Sequence, residues 1–253
     1  MVPLRDHIPT RRPAVVVYLL IFANVVAFAW SRMLIAGGVD PSRFVFGWGL
    51  VPARFLANPA AELVTVFSSM FLHDPTGYLH IGGNMLYLWI FGDNVEDALG
   101  RGRFIAFYVL SGLVAAGAQI AIDPGSTIPM VGASGAISGV LAAYAVLYPR
   151  SPITVLNPVP ILWLLWGLFL ELPAWLLILQ YFVVNLVNAY LSLGEREGGV
   201  AFFAHLGGFF AGLAMVRLFM IGREKARYDN WHRFLPPHRR RDARRRHDDP
   251  WGR

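Results

Sequence analysis

The stretch Val200-Ala201-Phe202-Phe203-Ala204-His205-Leu206-Gly207-Gly208-Phe209-Phe210-Ala211-Gly212, continuing through Arg217 to Ile221, decides what kind of molecule this is. Crossing about 30 Å of hydrocarbon takes roughly 20 residues of helix, and this stretch supplies that length. It also carries a histidine in its first turns. An ionisable side chain inside a membrane is costly and is by default a functional candidate. Working outward, five further apolar stretches of similar length lie near 13–33, 78–98, 103–122, 132–149 and 167–190. Composition agrees, with 56% of residues hydrophobic and 15% charged, against about 25% charged in a soluble domain. The expected fold class is an all-α membrane protein, a bundle of six transmembrane helices over residues 13–221.

Residues 1–12 precede the bundle and 222–253 follow it. Arg5, Arg11 and Arg12 before an apolar run ending in Ala27-Phe28-Ala29 resemble a signal peptide. The run is long for one, and more spans follow, so a retained first helix is expected. The formal net charge of +6 sits in the last segment, where Arg239-Arg240-Arg241 and Arg244-Arg245-Arg246 are clustered. A basic segment beside a membrane is drawn to anionic lipid. Nucleic-acid binding is not expected, because no folded module there could read a groove. Basic residues in short loops accumulate on the cytoplasmic side. With six spans, Arg5, Arg11, Arg12, Arg101, Arg103, Arg150, Arg217 and the whole basic tail share a side, against Arg32, Arg43, Arg54 and Arg196. Both termini are therefore expected in the cytoplasm. Segment 34–77 becomes a structured, partly embedded extracytoplasmic loop, with turn signals at Gly37-Gly38, Asp40-Pro41 and Asn58-Pro59. Pro152, Pro158 and Pro160 make 150–166 a poor helix, so the start of the fifth span could slip by several residues.

Three polar clusters interrupt the spans. The second opens His80-Ile81-Gly82-Gly83-Asn84, the fourth Gly132-Ala133-Ser134-Gly135, and the sixth Ala204-His205-Leu206-Gly207-Gly208 with Gly212 a turn later. All three spans begin on the extracytoplasmic side, so the clusters share a depth. His80 and Asn84, four apart, lie on one helix face. A serine needs an adjacent base to become a nucleophile, and a tetrahedral oxyanion needs donors aimed at it. Ser134, His205, His80 and Asn84 are such a set. Gly132 and Gly135 allow close backbone approach around the serine. Gly208 and Gly212 form a small-xxx-small face on which helices pack tightly, with Gly135 and Gly139 as the natural counterpart.

In these marks, His80-x-x-x-Asn84, Gly132-Ala133-Ser134-Gly135 and Ala204-His205-x-x-Gly208-x-x-x-Gly212, the chain resembles the rhomboid family of intramembrane serine proteases. Phe91-Gly92-Asp93-Asn94-Val95-Glu96-Asp97 also looks like the family. The resemblance covers about residues 13–221. It implies a six-helix rhomboid-like bundle and a Ser134–His205 dyad without an acidic third member. It implies an oxyanion site from the Ser134 backbone N–H with His80 and Asn84, no cofactor, and water reaching the site from the extracytoplasmic side. It further implies transmembrane-anchored protein substrates, entering past the fifth helix and the segment Ser192–Gly199. The membrane expected is a bacterial-type cell membrane. Two departures stand out. An aromatic residue often found four positions after the serine is here Ser138, which leaves open what orients His205. The tryptophan–arginine pair common in the first loop is missing near 62–68.

The other polar residues read first as structural. His73 and Asp74 order a turn, Asn185 and Asn188 make interhelical hydrogen bonds, Glu171 lies near an interface, and Glu96 ties the cytoplasmic end of the second helix. No metal-ligand spacing and no nucleotide loop is seen. The chain has no cysteine, which excludes disulfides and a thiol nucleophile. Two rival readings remain. A non-catalytic relative that binds membrane clients typically lacks the serine or the histidine, and both are present. A transporter relaying protons through His80 and His205 commonly shows repeated halves, and none is visible. The sequence leaves the oligomeric state open.

Overall fold

The computed structural model describes residues 1–157, 167–192 and 201–223. Its elements are β1 (Val2–Asp6), α1 (Val15–Ala36), α2 (Pro41–Trp48), α3 (Pro52–Ala57), α4 (Pro59–Ser68), α5 (Leu79–Leu99), α6 (Arg101–Ile122), α7 (Ser134–Leu147), β2 (Pro152–Leu156), β3 (Phe169–Pro173), α8 (Ala174–Leu191) and α9 (Phe202–Phe219). Among the described residues, four helices, α1, α6, α8 and α9, are long and apolar enough to cross a membrane. The 21-residue α5 carries Asp93, Glu96 and Asp97 near its end, and α7 has 14 residues.

Helix ends sort to two poles. At one, Glu96 at the end of α5 accepts from Val16 N at 3.1 Å and Val17 N at 2.8 Å, capping the start of α1. The two carboxylate oxygens thus meet orphan N–H groups and the positive end of a helix dipole. Arg11 pairs with Asp97 at 3.0 Å. Arg103 at the start of α6 donates to the carbonyls of Phe219 and Ile221 at 2.8 and 2.7 Å, closing the end of α9. Arg223 donates from Nε to Ala98 O at 3.1 Å.

The same pole carries a three-stranded antiparallel sheet in the order β1-β2-β3, so the chain is not all-α. The physical reason lies in Pro152-Ile153-Thr154-Val155-Leu156. Prolines bar the helix, and the β-branched run alternates. Ile153 and Val155 are fully buried with Thr154 between them half-buried. β3 occupies the start of the apolar stretch expected as the fifth span, and the helix begins only at Ala174. Pro158 and Pro160 lie outside the described residues. Asp6 of β1 accepts from Asn94 Nδ2 at 2.6 Å and Tyr144 OH at 3.1 Å, joining sheet to bundle. Burial pushes the Asp6 carboxyl up to about 6, against the lowering effect of the Tyr144 hydroxyl.

α7 runs through the centre, and every residue from Gly135 to Tyr144 is buried. It packs on α9 with almost no side chain between them. A Cβ on Gly208 would overlap the Gly135 carbonyl oxygen, and one on Gly212 the Gly139 carbonyl. At the opposite pole the expected loop is folded into α2, α3 and α4. In place of the missing tryptophan–arginine pair, Arg54 anchors it, meeting Glu62 at 2.8 Å and the carbonyls of Phe46 and Gly49. Arg32 donates to Pro75 O at 2.7 Å and lies over the Tyr78 ring.

Candidate active site

Ser134 is the first residue of α7. Ala133 before it is the N-cap and makes no side-chain cap, so the first backbone N–H groups of the helix stay available. The approach to it is fixed by Gly132. Its N–H donates to Ser69 O at 2.8 Å, and its φ of 132° is one that side-chain-bearing residues rarely adopt. A methyl at this position would sit 2.9 Å from His80 Nε2 and 3.4 Å from Ser134 Oγ. Glycine therefore keeps open a gap between these two groups.

The α7–α9 contact brings His205 to the serine, with Nε2 2.7 Å from Ser134 Oγ. The other ring nitrogen, Nδ1, lies 2.5 Å from Asn185 Oδ1 on α8. No carboxylate hydrogen-bonds His205 among the described residues. Glu195 and Glu197, in the segment expected to admit substrate, lie outside them, as does that segment from residue 193 to 199.

His80 stands across the gap. Its Nδ1 accepts from Asp74 N at 3.3 Å, so in the neutral ring the proton is on Nε2, which faces the Gly132 gap. Asn84, one turn on, has Nδ2 2.9 Å from His73 Nε2. His73 is buried, and that burial, helped by neighbouring His80, holds its pKa down at about 4 while the Phe71 carbonyl opposes the shift. The neutral ring is thus an acceptor for the Asn84 amide. Asp74 orders the turn between them, its Oδ1 accepting from Thr76 N at 2.8 Å and Thr76 Oγ1 at 2.7 Å.

The absent aromatic at position 138 is answered from another helix. Ser138 Oγ donates to Ser134 O at 2.7 Å and meets Tyr181 OH at 2.6 Å. The Tyr181 ring lies 6.3 Å from that of His205. His73, Tyr181 and Asn185 were not singled out as site residues by sequence. Tyr181 and Asn185 do leave a trace there, as polar groups four apart on one face of an apolar helix.

The arrangement has the parts of an acyl-transfer site: a hydroxyl on an imidazole, and N–H groups converging beside it. The surroundings are those of a lipid-embedded bundle. Phe22 and Met33 on α1, and Val184, Leu186 and Tyr190 on α8, are exposed, a density of outward apolar groups that water would not tolerate. The molecule is thus an integral, multi-pass helical membrane protein with a polar site recessed between its helices. It belongs to the rhomboid family, whose domain model, described as Rhomboid domain, matches residues 60–221. The chain is similar to Rhomboid protein 1, mitochondrial, of Saccharomyces cerevisiae, at 28% identity over 83% of this chain and 56% of that protein. It is similar to Rhomboid protease GluP of Bacillus subtilis at 31% over 50% and 23%. It is also similar to the presenilin-associated rhomboid-like protein, mitochondrial, of Bos taurus, at 29% over 50% and 36%. The chain thus spans little more than half the length of the yeast relative and less of the others. Mitochondrial relatives beside a bacterial one mean that family membership does not single out a bacterial-type cell membrane.

Proposed function

We propose that the chain is an intramembrane serine endopeptidase with Ser134 as nucleophile and His205 as general base, acting on transmembrane-anchored proteins. The observation that carries this reading is the 2.7 Å contact from Ser134 Oγ to His205 Nε2 inside an apolar bundle. Ser134 Oγ attacks the scissile carbonyl while its proton passes to Nε2. The carbonyl oxygen becomes an oxyanion, held by the Ser134 N–H, His80 Nε2–H and the Asn84 amide. Collapse breaks the C–N bond, and His205 returns the proton to the leaving amine. Water, activated by the same nitrogen, then releases the acyl group and restores Ser134.

The catalytic core is residues 13–221, crossing the membrane six times with both termini cytoplasmic. α7, of 14 residues, is about 21 Å long at 1.5 Å per residue. A helix shorter than the hydrocarbon, ending near the cytoplasmic face, starts below the opposite surface, and so Ser134 is recessed. Substrates are cut near the extracytoplasmic side. A helical peptide bond is shielded, so the substrate segment must unwind before attack. The basic segment 222–253, which lies outside the described residues beyond Arg223, contributes attraction to anionic lipid and is dispensable for the chemistry.

The test is reconstitution in lipid with a model transmembrane substrate. Wild-type protein cleaves it and reacts covalently with a fluorophosphonate. Ser134→Ala and His205→Ala abolish cleavage at unchanged thermal stability, and Ser134→Ala also abolishes labelling. Cleavage by purified Ser134→Ala at near wild-type rate sinks the reading. Client binding without cleavage by wild-type protein assigns the chain to the non-catalytic members instead.

A further inference from the structure

Asn185 bonds in two directions. Its Nδ2 donates to the carbonyl of Tyr181 four residues earlier, at 2.8 Å. That bond settles the orientation of the amide, because only the nitrogen can donate. Oδ1 therefore faces His205 Nδ1, at 2.5 Å. An amide oxygen accepts only, so Nδ1 must be the donor. In a neutral ring the other nitrogen then carries the lone pair, and that nitrogen is the one 2.7 Å from Ser134 Oγ. The chain of bonds from Tyr181 O to Ser134 Oγ thus permits one tautomer, the tautomer in which His205 is able to take a proton from serine.

From this geometry we infer that Asn185 is a positioning residue: it fixes the tautomer and ring plane of His205, and it makes the base dependent on the seating of α8. This rests on the proposed Ser134–His205 chemistry. A second bond ties the same helix to the nucleophile. Ser138 has one proton, and it is spent on Ser134 O at 2.7 Å. Tyr181 OH is then the donor in its 2.6 Å bond to Ser138. One face of α8 therefore touches both the base and the helix that begins with the serine. The opposite face of α8 is turned outward. Trp175, Leu179, Val183 and Leu186 are exposed to lipid, and between helices in lipid no hydrophobic force acts beyond packing. α8 is held to the bundle by buried Ala174, Leu177, Ile178 and Ala189, by the packing of Phe182 on Phe209 and Phe210, and by these two polar bonds. Displacement of α8 releases Nδ1, and the base loses its set orientation.

The experiment compares Asn185→Leu, Asn185→Asp and Tyr181→Phe with wild type in one lipid, reading kcat, KM, fluorophosphonate labelling rate and thermal stability. General-base catalysis is worth about 10²–10⁴, and part of that is lost when the ring turns freely. Asn185→Leu is therefore expected to lower kcat by about 10–100-fold, with labelling slowed in parallel and KM within a factor of about two. Asn185→Asp keeps the acceptor and retains most of the activity. Its carboxylate stabilises the imidazolium, so the acid limb of the kcat profile moves to higher pH. The other titratable groups facing His205 are His80 on α5 and Tyr181 on α8, and neither is altered in this variant. Tyr181→Phe loses less than Asn185→Leu. A purely packing role predicts the reverse order, with leucine tolerated, aspartate disruptive and no movement of the pH limb. Wild-type labelling by Asn185→Leu overturns the inference, and so does an unmoved acid limb in Asn185→Asp. If Asn185→Leu does not fold, the aspartate profile alone decides. Failure of the dyad itself is separate: it appears as cleavage surviving in Ser134→Ala or His205→Ala, whatever Asn185 does.

Discussion

Ser134 and His80 face each other across Gly132, the residue with no side chain between them. The oxyanion reading makes unequal demands on the donors around that gap. His80 presents Nε2–H because Asp74 N occupies Nδ1, and Asn84 presents an amide held on its far side by His73. Removing one preorganised donor costs about 10²–10³ in rate. His80→Ala and Asn84→Ala should each lower kcat by about that factor with KM little changed, in steady-state cleavage of a transmembrane substrate. A loss confined to KM would move both residues to substrate positioning. His73→Phe should cost less than Asn84→Ala, because it frees the amide without deleting it. His73 titrates near 4, so it stays a neutral acceptor from pH 5 upward and contributes no inflection there. The spacing of His80 and Asn84, and the motifs around Ser134 and His205, were legible because each lies in one local run. His73 was legible only as a turn residue, because its contact with Asn84 depends on how the loop folds back. Asn185 was read as making an interhelical hydrogen bond, and it makes one. Its partner is the proposed base, and nothing in the order of residues along one helix tells which neighbour its side chain meets.

At the scale of elements, the span boundaries near 78–98, 103–122 and 200–221 were readable to within a few residues, since apolar length alone sets them. The sheet was not. β1 lies in a short segment rich in turn residues, and its partner β2 is about 150 positions away. Long-range pairing of that kind leaves no periodic signal locally. Two outcomes test these elements. Gly208→Val forces a side chain into the Gly135 carbonyl, and overpacking costs about 1–3 kcal/mol or more. Its unfolding midpoint in detergent should fall clearly, whereas Gly82→Ala, on the same pole with nothing within 4 Å of the added atom, should leave it near wild type. Asp6 supplies the second. Its folded pKa of about 6 lies above the ordinary 3.8, so the native state holds a proton that the unfolded chain releases. The resulting stabilisation is complete below 3.8 and is lost as pH rises through 6. Thermal stability should therefore decline between pH 4 and pH 7, and Asp6→Asn, which cannot ionise, should flatten that decline. An unchanged slope in the variant would mean that Asp6 is not the group responsible.

For the whole molecule the decisive quantity is the asymmetry of charge between its poles. The sheet pole holds Arg5, Arg11, Arg12, Arg101, Arg103, Arg150 and Arg223, and the site pole holds Arg32, Arg43 and Arg54. Arginine is retained on the cytoplasmic side during insertion, so the sheet pole should face the cytoplasm and the Ser134 pole the other compartment. α5 and α7 bear on the number of crossings, because α5 ends in three carboxylates and α7 is short. Packing α7 against α5, α6, α8 and α9 removes the need for lipid-facing length, and the carboxylates of α5 are spent at the pole, where Glu96 caps α1 and Asp97 meets Arg11. On the proposed topology both helices cross, and the count is even. The absence of cysteine makes this directly measurable with single-cysteine variants and a membrane-impermeant maleimide. Ser42→Cys in α2 and Thr127→Cys before α7 sit exposed at the site pole, and both should react in intact cells. Pro9→Cys, exposed after β1, should react only once the membrane is opened. With six crossings, Gly252→Cys in the basic tail should behave as Pro9→Cys does. Labelling of Gly252→Cys from outside, with Pro9→Cys protected, would require an odd count, and labelling of Pro9→Cys with Ser42→Cys protected would invert the molecule.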